Sequence, residues 1–183
     1  LWGAQLEEGS TATTYIPTTN LPSAAPRFDH DPTTGESLGL LVEESRTNLV
    51  ETSSDVSWYT SGTNVTYSFD QTTSPDNTVT ADLVTENTAL DRHDFLVTGG
   101  LVLSTSTTYT YSIFLKPAGR TFVKLRFDTL SSFDGVNFNL TGAGSIGTVD
   151  AGRTGTIQQF PNGWYRCSVT YTPPVNPQYP SVR

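Results

Sequence analysis

The chain has 183 residues, enough for one ordinary domain with a short extension but not for two full-size domains. Its 31 Thr, 18 Ser, 15 Gly and 11 Pro, with 11% aromatic residues, favour strands and turns over helices. The net charge is −8, and ten Lys and Arg stand singly among 18 Asp and Glu, which excludes a basic nucleic-acid groove and a polybasic membrane surface. No apolar run approaches the length of a membrane helix, so we expect no membrane insertion.

The first 50 residues differ in composition from the rest and predict an extended arm. Leu1–Gly9 alternates weakly between apolar and polar residues and predicts one strand. The segment Ser10–Pro32 is rich in Thr, Pro and Ala, has too little apolar surface to fold alone, and should run extended. We therefore divide the chain into an N-terminal arm and linker, residues 1–50, and a domain, residues 51–183.

From about Asp55 onward, short apolar alternations separated by Gly, Pro, Asn and Asp predict an all-β domain. The clearest alternation is Tyr109–Leu115. The last is Trp164–Tyr171, in which Cys167 is predicted to be a buried free thiol. Other strands are predicted near residues 65–69, 79–83, 123–127 and 136–140, with a Gly-rich connection from 142 to 155. Seven or so short strands are typical of a jelly-roll β-sandwich.

The sequence offers no clear catalytic pattern. His30 and His93 each lie beside carboxylates, but no Gly-x-Ser-x-Gly motif accompanies them, so both are interpreted as solvated turn residues. Three acidic residues fall within 29–36, but Pro32 interrupts the spacing that a calcium loop needs. We therefore predict a protein that is not an enzyme and that has no metal site and no cofactor.

Aromatic and basic side chains share the strand faces that the predicted core does not use. Trp164 and Arg166 lie on one strand, Phe114 on a second and Arg126 on a third. Sugar rings stack on aromatic rings, and guanidinium groups bind hydroxyl or carboxylate oxygens, so these four residues form a candidate glycan-binding platform. The alternative is that the same face packs against a second sheet or a neighbouring subunit.

Two N-terminal segments resemble a signature of phage tail-fibre and related virion structural proteins. They are Trp-Gly-Ala-Gln-Leu-Glu-Glu-Gly with Tyr-Ile-Pro-Thr, at 2–9 and 15–18, and a stretch from Pro-Arg-Phe-Asp to Arg-Thr-Asn-Leu, at 26–49. Residues 112–119 and 162–166 resemble the carbohydrate-binding-module-like jelly roll of the same proteins.

The resemblance implies a structural virion protein: a fibre, decoration or baseplate-associated module of the extracellular particle. Such a module assembles through its N-terminal arm, as a homo-oligomer or with other virion proteins, and binds host-surface polysaccharide. The resemblance brings no catalytic residue and no cofactor. The alternative function is a carbohydrate-binding module of a secreted glycan-active enzyme.

The order of the segments departs from the resembled proteins, in which the Trp-Gly-Ala-Gln-Leu-Glu segment is the last strand of a jelly roll. Here it comes first, and the Pro-rich residues 173–177 predict a poor strand. The sandwich is therefore expected to lack its last strand, with Trp2, Ala4 and Leu6 as the apolar face of an assembly strand. That strand could close its own domain, a neighbour's domain or a preceding module. We favour donation to a neighbouring subunit, because a Pro-rich arm has little reason to fold back.

Overall fold

A computed structural model describes residues 1–15, 28–30, 37–40, 47–50, 53, 61–96, 103–128, 133–174 and 179–183. These residues form fourteen strands and a single 3-10 turn at Pro161–Gly163, which confirms the predicted all-β class. In this part of the chain no helix is long and apolar enough to cross a bilayer.

Ten strands form two antiparallel sheets. The four-stranded sheet has the order β1 (Trp2–Glu8), β8 (Tyr109–Leu115), β13 (Tyr165–Tyr171) and β12 (Arg153–Gln159). The six-stranded sheet has the order β11 (Ser145–Val149), β10 (Gly135–Asn139), β9 (Phe122–Asp128), β14 (Tyr179–Val182), β7 (Asp94–Leu96) and β4 (Ser61–Thr63).

Two antiparallel hairpins accompany the sheets. One pairs β2 (Phe28–His30) with β3 (Ser37–Leu40), and the other pairs β5 (Val65–Thr73) with β6 (Val79–Glu86). The β5–β6 hairpin packs beside the four-stranded sheet, where Leu1 and Asp82 exchange two backbone hydrogen bonds of 2.7 and 3.2 Å. This packing leaves a groove between the hairpin and the sheets.

One hydrophobic core lies between the two sheets, as in a β-sandwich. Residues from both sheets face it, including Tyr111, Ile113 and Val169 from the four-stranded sheet and Leu125 and Phe138 from the six-stranded one. Cys167 belongs to the same core and is a buried free thiol, as predicted. The finer assignment of this sandwich to the jelly-roll type stays a prediction.

Strand β1 lies at the edge of the four-stranded sheet but is buried along nearly its whole length. Its register with β8 runs from Trp2 opposite Phe114 to Glu8 opposite Tyr109, and all its residues except Glu8 are buried. In this structure the strand closes the sheet of its own chain. The favoured donation to a neighbour and the division at residue 50 stay predictions, although β1 pairs here with β8, a strand of the predicted domain.

The apolar face of β1 differs from the predicted one at Trp2. A bulge between Trp2 and Gln5 contains Gly3, whose φ of +63° favours glycine. A Cβ at this position would lie 3.1 Å from side-chain atoms of Phe114 and Tyr15. Ala4 and Leu6 therefore face the core as predicted, whereas Trp2 joins a separate cluster with Phe114.

The outer edge of β1 is covered by residues 47–50 and by Ser53, mainly through Asn48. The Asn48 Oδ1 accepts hydrogen bonds from Leu6 N at 3.1 Å and Val50 N at 3.0 Å, and Nδ2 donates to Ala4 O at 3.2 Å. Leu49 N donates to Leu6 O at 2.9 Å. The buried Asn48 side chain thus takes the place of a neighbouring strand and satisfies an edge that would otherwise be open.

Seven of the fourteen strands lie where none was predicted: β2, β3, β4, β7, β11, β12 and β14. β11 occupies part of the Gly-rich segment interpreted as a loop. β14 follows the Pro-rich segment and lies between β9 and β7, so the six-stranded sheet contains a strand after Tyr171. Pro180 is tolerated because β14 pairs with β7 through Ser181 and Val182 only.

Candidate functional site

The predicted glycan platform is not an exposed surface. Trp164 is 1% exposed and Phe114 is 3% exposed, and both belong to a small apolar cluster with Trp2 and Ala81. The Trp164 indole Nε1 donates to Thr73 O of the β5–β6 hairpin at 3.1 Å. The prediction of a platform at these two rings is wrong, because the hairpin and the N-terminal residues pack over them.

Arg166 lies beside Phe114 as predicted but is partly buried. The two residues are cross-strand partners, and the guanidinium carbon lies 5.7 Å from the Phe114 ring centre. Its Nη1 donates to Thr13 O at 2.6 Å and its Nη2 to Ser112 Oγ at 3.1 Å. Burial lowers the pKa of Arg166, and the nearby Glu7 partly offsets this.

Arg126 does not belong to an exposed platform either. It lies on β9 of the other sheet and is fully buried. Its Nη2 lies 2.9 Å from Asp94 Oδ2, and its Nε donates to Ser181 Oγ at 3.0 Å. The prediction that Arg126 lies next to Trp164 is therefore wrong. Its side chain lies on the face of β9 opposite to the core residues Leu125 and Phe127, with the guanidinium carbon 5.1 Å from the centre of the Phe133 ring.

The segment Ser10–Tyr15 lies across the outer face of the four-stranded sheet. Tyr15 packs on Trp2 with ring centres 4.6 Å apart. Thr13 donates hydrogen bonds to the buried Glu7 carboxylate from both its backbone N and its hydroxyl. Thr170 Oγ1 donates to Ser10 O at 3.3 Å. The face that was expected to meet sugar is thus occupied by the chain itself, which the sequence alternation could not reveal.

The β5–β6 hairpin and the sandwich enclose a groove of about 890 Å³, here called the hairpin groove. Its walls come from the hairpin, from the β8–β9 loop, from the start of β9 and from Trp164. The lining includes Val65, Gln71, Thr72, Asp82, Glu86, Lys116, Pro117, Gly119, Arg120, Phe122, Trp164 and Arg183. A volume of this size falls within the range of small-molecule and ligand sites in proteins.

An ion pair crosses the hairpin groove. Arg120 Nη2 lies 2.6 Å from Glu86 Oε2, and Arg120 Nε donates to the same oxygen at 2.8 Å. The Arg120 side chain is 77% exposed, so this pair stabilises the fold little but presents polar atoms to the groove. The Lys116 ammonium lies 5.9 Å from the centre of the Trp164 ring.

Metal ligands are not gathered in the part of the chain that the structure describes. There, no group of three or more His, Cys, Asp or Glu side chains could hold an ion. Of the acidic residues within 29–36, Asp29 falls in β2, while Asp31 and Glu36 lie outside the described residues. His93 Nε2 lies 3.2 Å from Asn87 O, and His30 falls in β2.

Comparison of the chain with protein families, curated proteins and solved structures gives no match. The structural class stated above, an all-β chain with two antiparallel sheets around one core, rests on the chain's own geometry.

Proposed function

We propose that this chain is a non-catalytic structural module of a virion, as part of a fibre, a decoration or a baseplate-associated assembly, with a jelly-roll sandwich that binds host-surface glycan. The observation that carries the proposal is the contact between the two resembling N-terminal segments. Residues 2–9 supply β1, residues 47–49 cover its edge, and Asn48 joins them with three hydrogen bonds. The residues that carry the resemblance therefore act as one structural unit.

The proposed oligomeric assembly takes a form that fits the buried β1. A neighbour's strand cannot add to β8 while β1 of the same chain occupies that position. Assembly through the arm would therefore exchange β1 between copies, each strand making the same contacts with β8 of its neighbour. In this arrangement the proposed partners are still other copies of the chain or other virion proteins.

The test is the composition of purified particles. Particles from the source of the gene are banded in a density gradient, and peptides of this chain are counted by quantitative mass spectrometry relative to a major capsid protein. We expect a fixed ratio across the particle band. Peptides found only outside the band would refute the virion assignment. If they also belonged to a polypeptide with a glycan-cleaving domain, they would favour the carbohydrate-binding module of a secreted enzyme instead.

A further inference from the structure

We propose that the hairpin groove binds an acidic saccharide, one that carries carboxylate groups on its sugar rings. This inference rests on the glycan-binding part of the proposed function and moves the site from the buried Trp164 and Arg166 to a groove open to solvent. Three features of the groove support it: an exposed aromatic ring, a polar pair and an excess of positive charge.

The exposed ring is Phe122, on the first residue of β9. Its side chain is 72% exposed although it is a large apolar group, and it lines the groove. An exposed aromatic ring beside a groove offers a flat surface on which the C–H face of a sugar can stack. The buried Trp164, at 1% exposure, forms the floor and cannot take this role.

The polar pair is Arg120 with Glu86, which places donors and acceptors on the groove wall. Two guanidinium N–H groups point to one carboxylate oxygen, Glu86 Oε2, at 2.6 and 2.8 Å. The guanidinium has five N–H donors, so others remain for a ligand, and the carboxylate keeps further acceptor sites. Neighbouring hydroxyl groups of a sugar ring both donate and accept, and they match such a pair.

The side-chain charge of the groove, three cations against two carboxylates, favours an anion. Three of the ten Lys and Arg residues of the chain, Lys116, Arg120 and Arg183, line it, although the net charge of the whole chain is −8. Of the two acidic residues there, Glu86 is bound to Arg120, and Asp82 Oδ1 accepts a hydrogen bond from Asp70 N at 2.9 Å inside the hairpin. Within the described residues, Lys116 and Arg183 have no carboxylate partner, so a ligand carboxylate would complement them.

The experiment is isothermal titration calorimetry of the folded chain with three carboxylated oligosaccharides: tetragalacturonate, a hyaluronan hexasaccharide and α2,8-linked tetrasialic acid. For each ligand that binds, the methyl ester removes the charge and keeps the ring. We expect at least one acid to bind, its ester to bind at least tenfold more weakly, and Phe122→Ala and Lys116→Gln each to weaken binding about three- to tenfold.

Matched controls lie outside the groove. Phe69→Ala removes another exposed ring, 52% exposed on β5, and Lys124→Gln removes a lysine that pairs with Asp150. Both should bind the ligand as the unaltered chain does. The proposal is overturned if none of the acids binds, if the esters bind equally, or if the groove and control variants do not differ. None of these results bears on the particle measurement, so the two proposals fail separately.

Discussion

At the scale of single residues, Trp164 joins the β5–β6 hairpin to the sandwich. Its indole Nε1 is bonded to Thr73 O, and its ring shares an apolar cluster with Ala81 of the same hairpin. The side chain is almost fully buried, so removing it leaves a cavity and breaks the hydrogen bond to Thr73 O.

We therefore expect Trp164→Ala to lower the free energy of unfolding by about 3–5 kcal/mol, as large-to-small changes in cores do. Phe122→Ala is the control, because that ring is 72% exposed and should change stability by less than about 0.5 kcal/mol. Urea denaturation followed by circular dichroism measures both. Equal stability of the Trp164→Ala variant and the unaltered chain would show that the ring is a surface group after all.

At the scale of elements, the edge of β1 depends on one side chain, which forms backbone hydrogen bonds that a neighbouring strand would otherwise form. Asn48 satisfies Leu6 N, Val50 N and Ala4 O in a buried position. An apolar side chain at this position could not form these hydrogen bonds. Each buried backbone group left without a partner would then cost about 1–3 kcal/mol.

Asn48→Ala should therefore destabilise the chain by about 2–4 kcal/mol, with amide exchange at Leu6 accelerated more than exchange at Cys167 on β13. Hydrogen exchange read by NMR gives both quantities. Gln159→Ala removes an exposed amide at the end of β12 and serves as the control. If exchange at Leu6 were unchanged in the Asn48 variant, the edge of β1 would not depend on this side chain.

The elements also show what sequence patterns can predict. Alternation identified β8 and β13, because each faces the core with every second residue. It missed β14, which follows the Pro-rich residues 173–177, and β11, since the glycines at 142, 144 and 147 resemble a loop. The misplaced glycan platform has a different cause: Arg166 is covered by Thr13, 153 residues away, and no local pattern reports so distant a contact.

At the scale of the whole molecule, Cys167 reports on the integrity of the sandwich. Its thiol lies in the core, and burial raises its pKa far above the ordinary value. Because the thiolate is the reactive form, the folded chain should be almost inert toward alkylation.

We expect iodoacetamide at pH 8 to modify Cys167 at least a hundredfold more slowly in buffer than in 6 M guanidinium chloride, as followed by mass spectrometry. The control places a thiol on the surface by Thr154→Cys in a chain that also carries Cys167→Ser, and it should react at similar rates in both solvents. Fast modification of native Cys167 would mean that the sandwich opens readily.

The pairing of β8 with β1 has a kinetic consequence. Thr110 bonds to Gly9 across 101 residues, and β14 must arrive between β9 and β7 before the second sheet is complete. In chains dominated by such distant contacts, long loops must close, at a cost in entropy, before the stabilising contacts form. Such chains fold in about milliseconds to seconds, not microseconds. During synthesis, the four-stranded sheet cannot be finished until Tyr171 has left the ribosome, and the six-stranded sheet cannot be finished until Val182 has, so the early strands spend that time with hydrogen-bonding edges unpaired. Pulse alkylation of Cys167 during refolding would time the closure of the core.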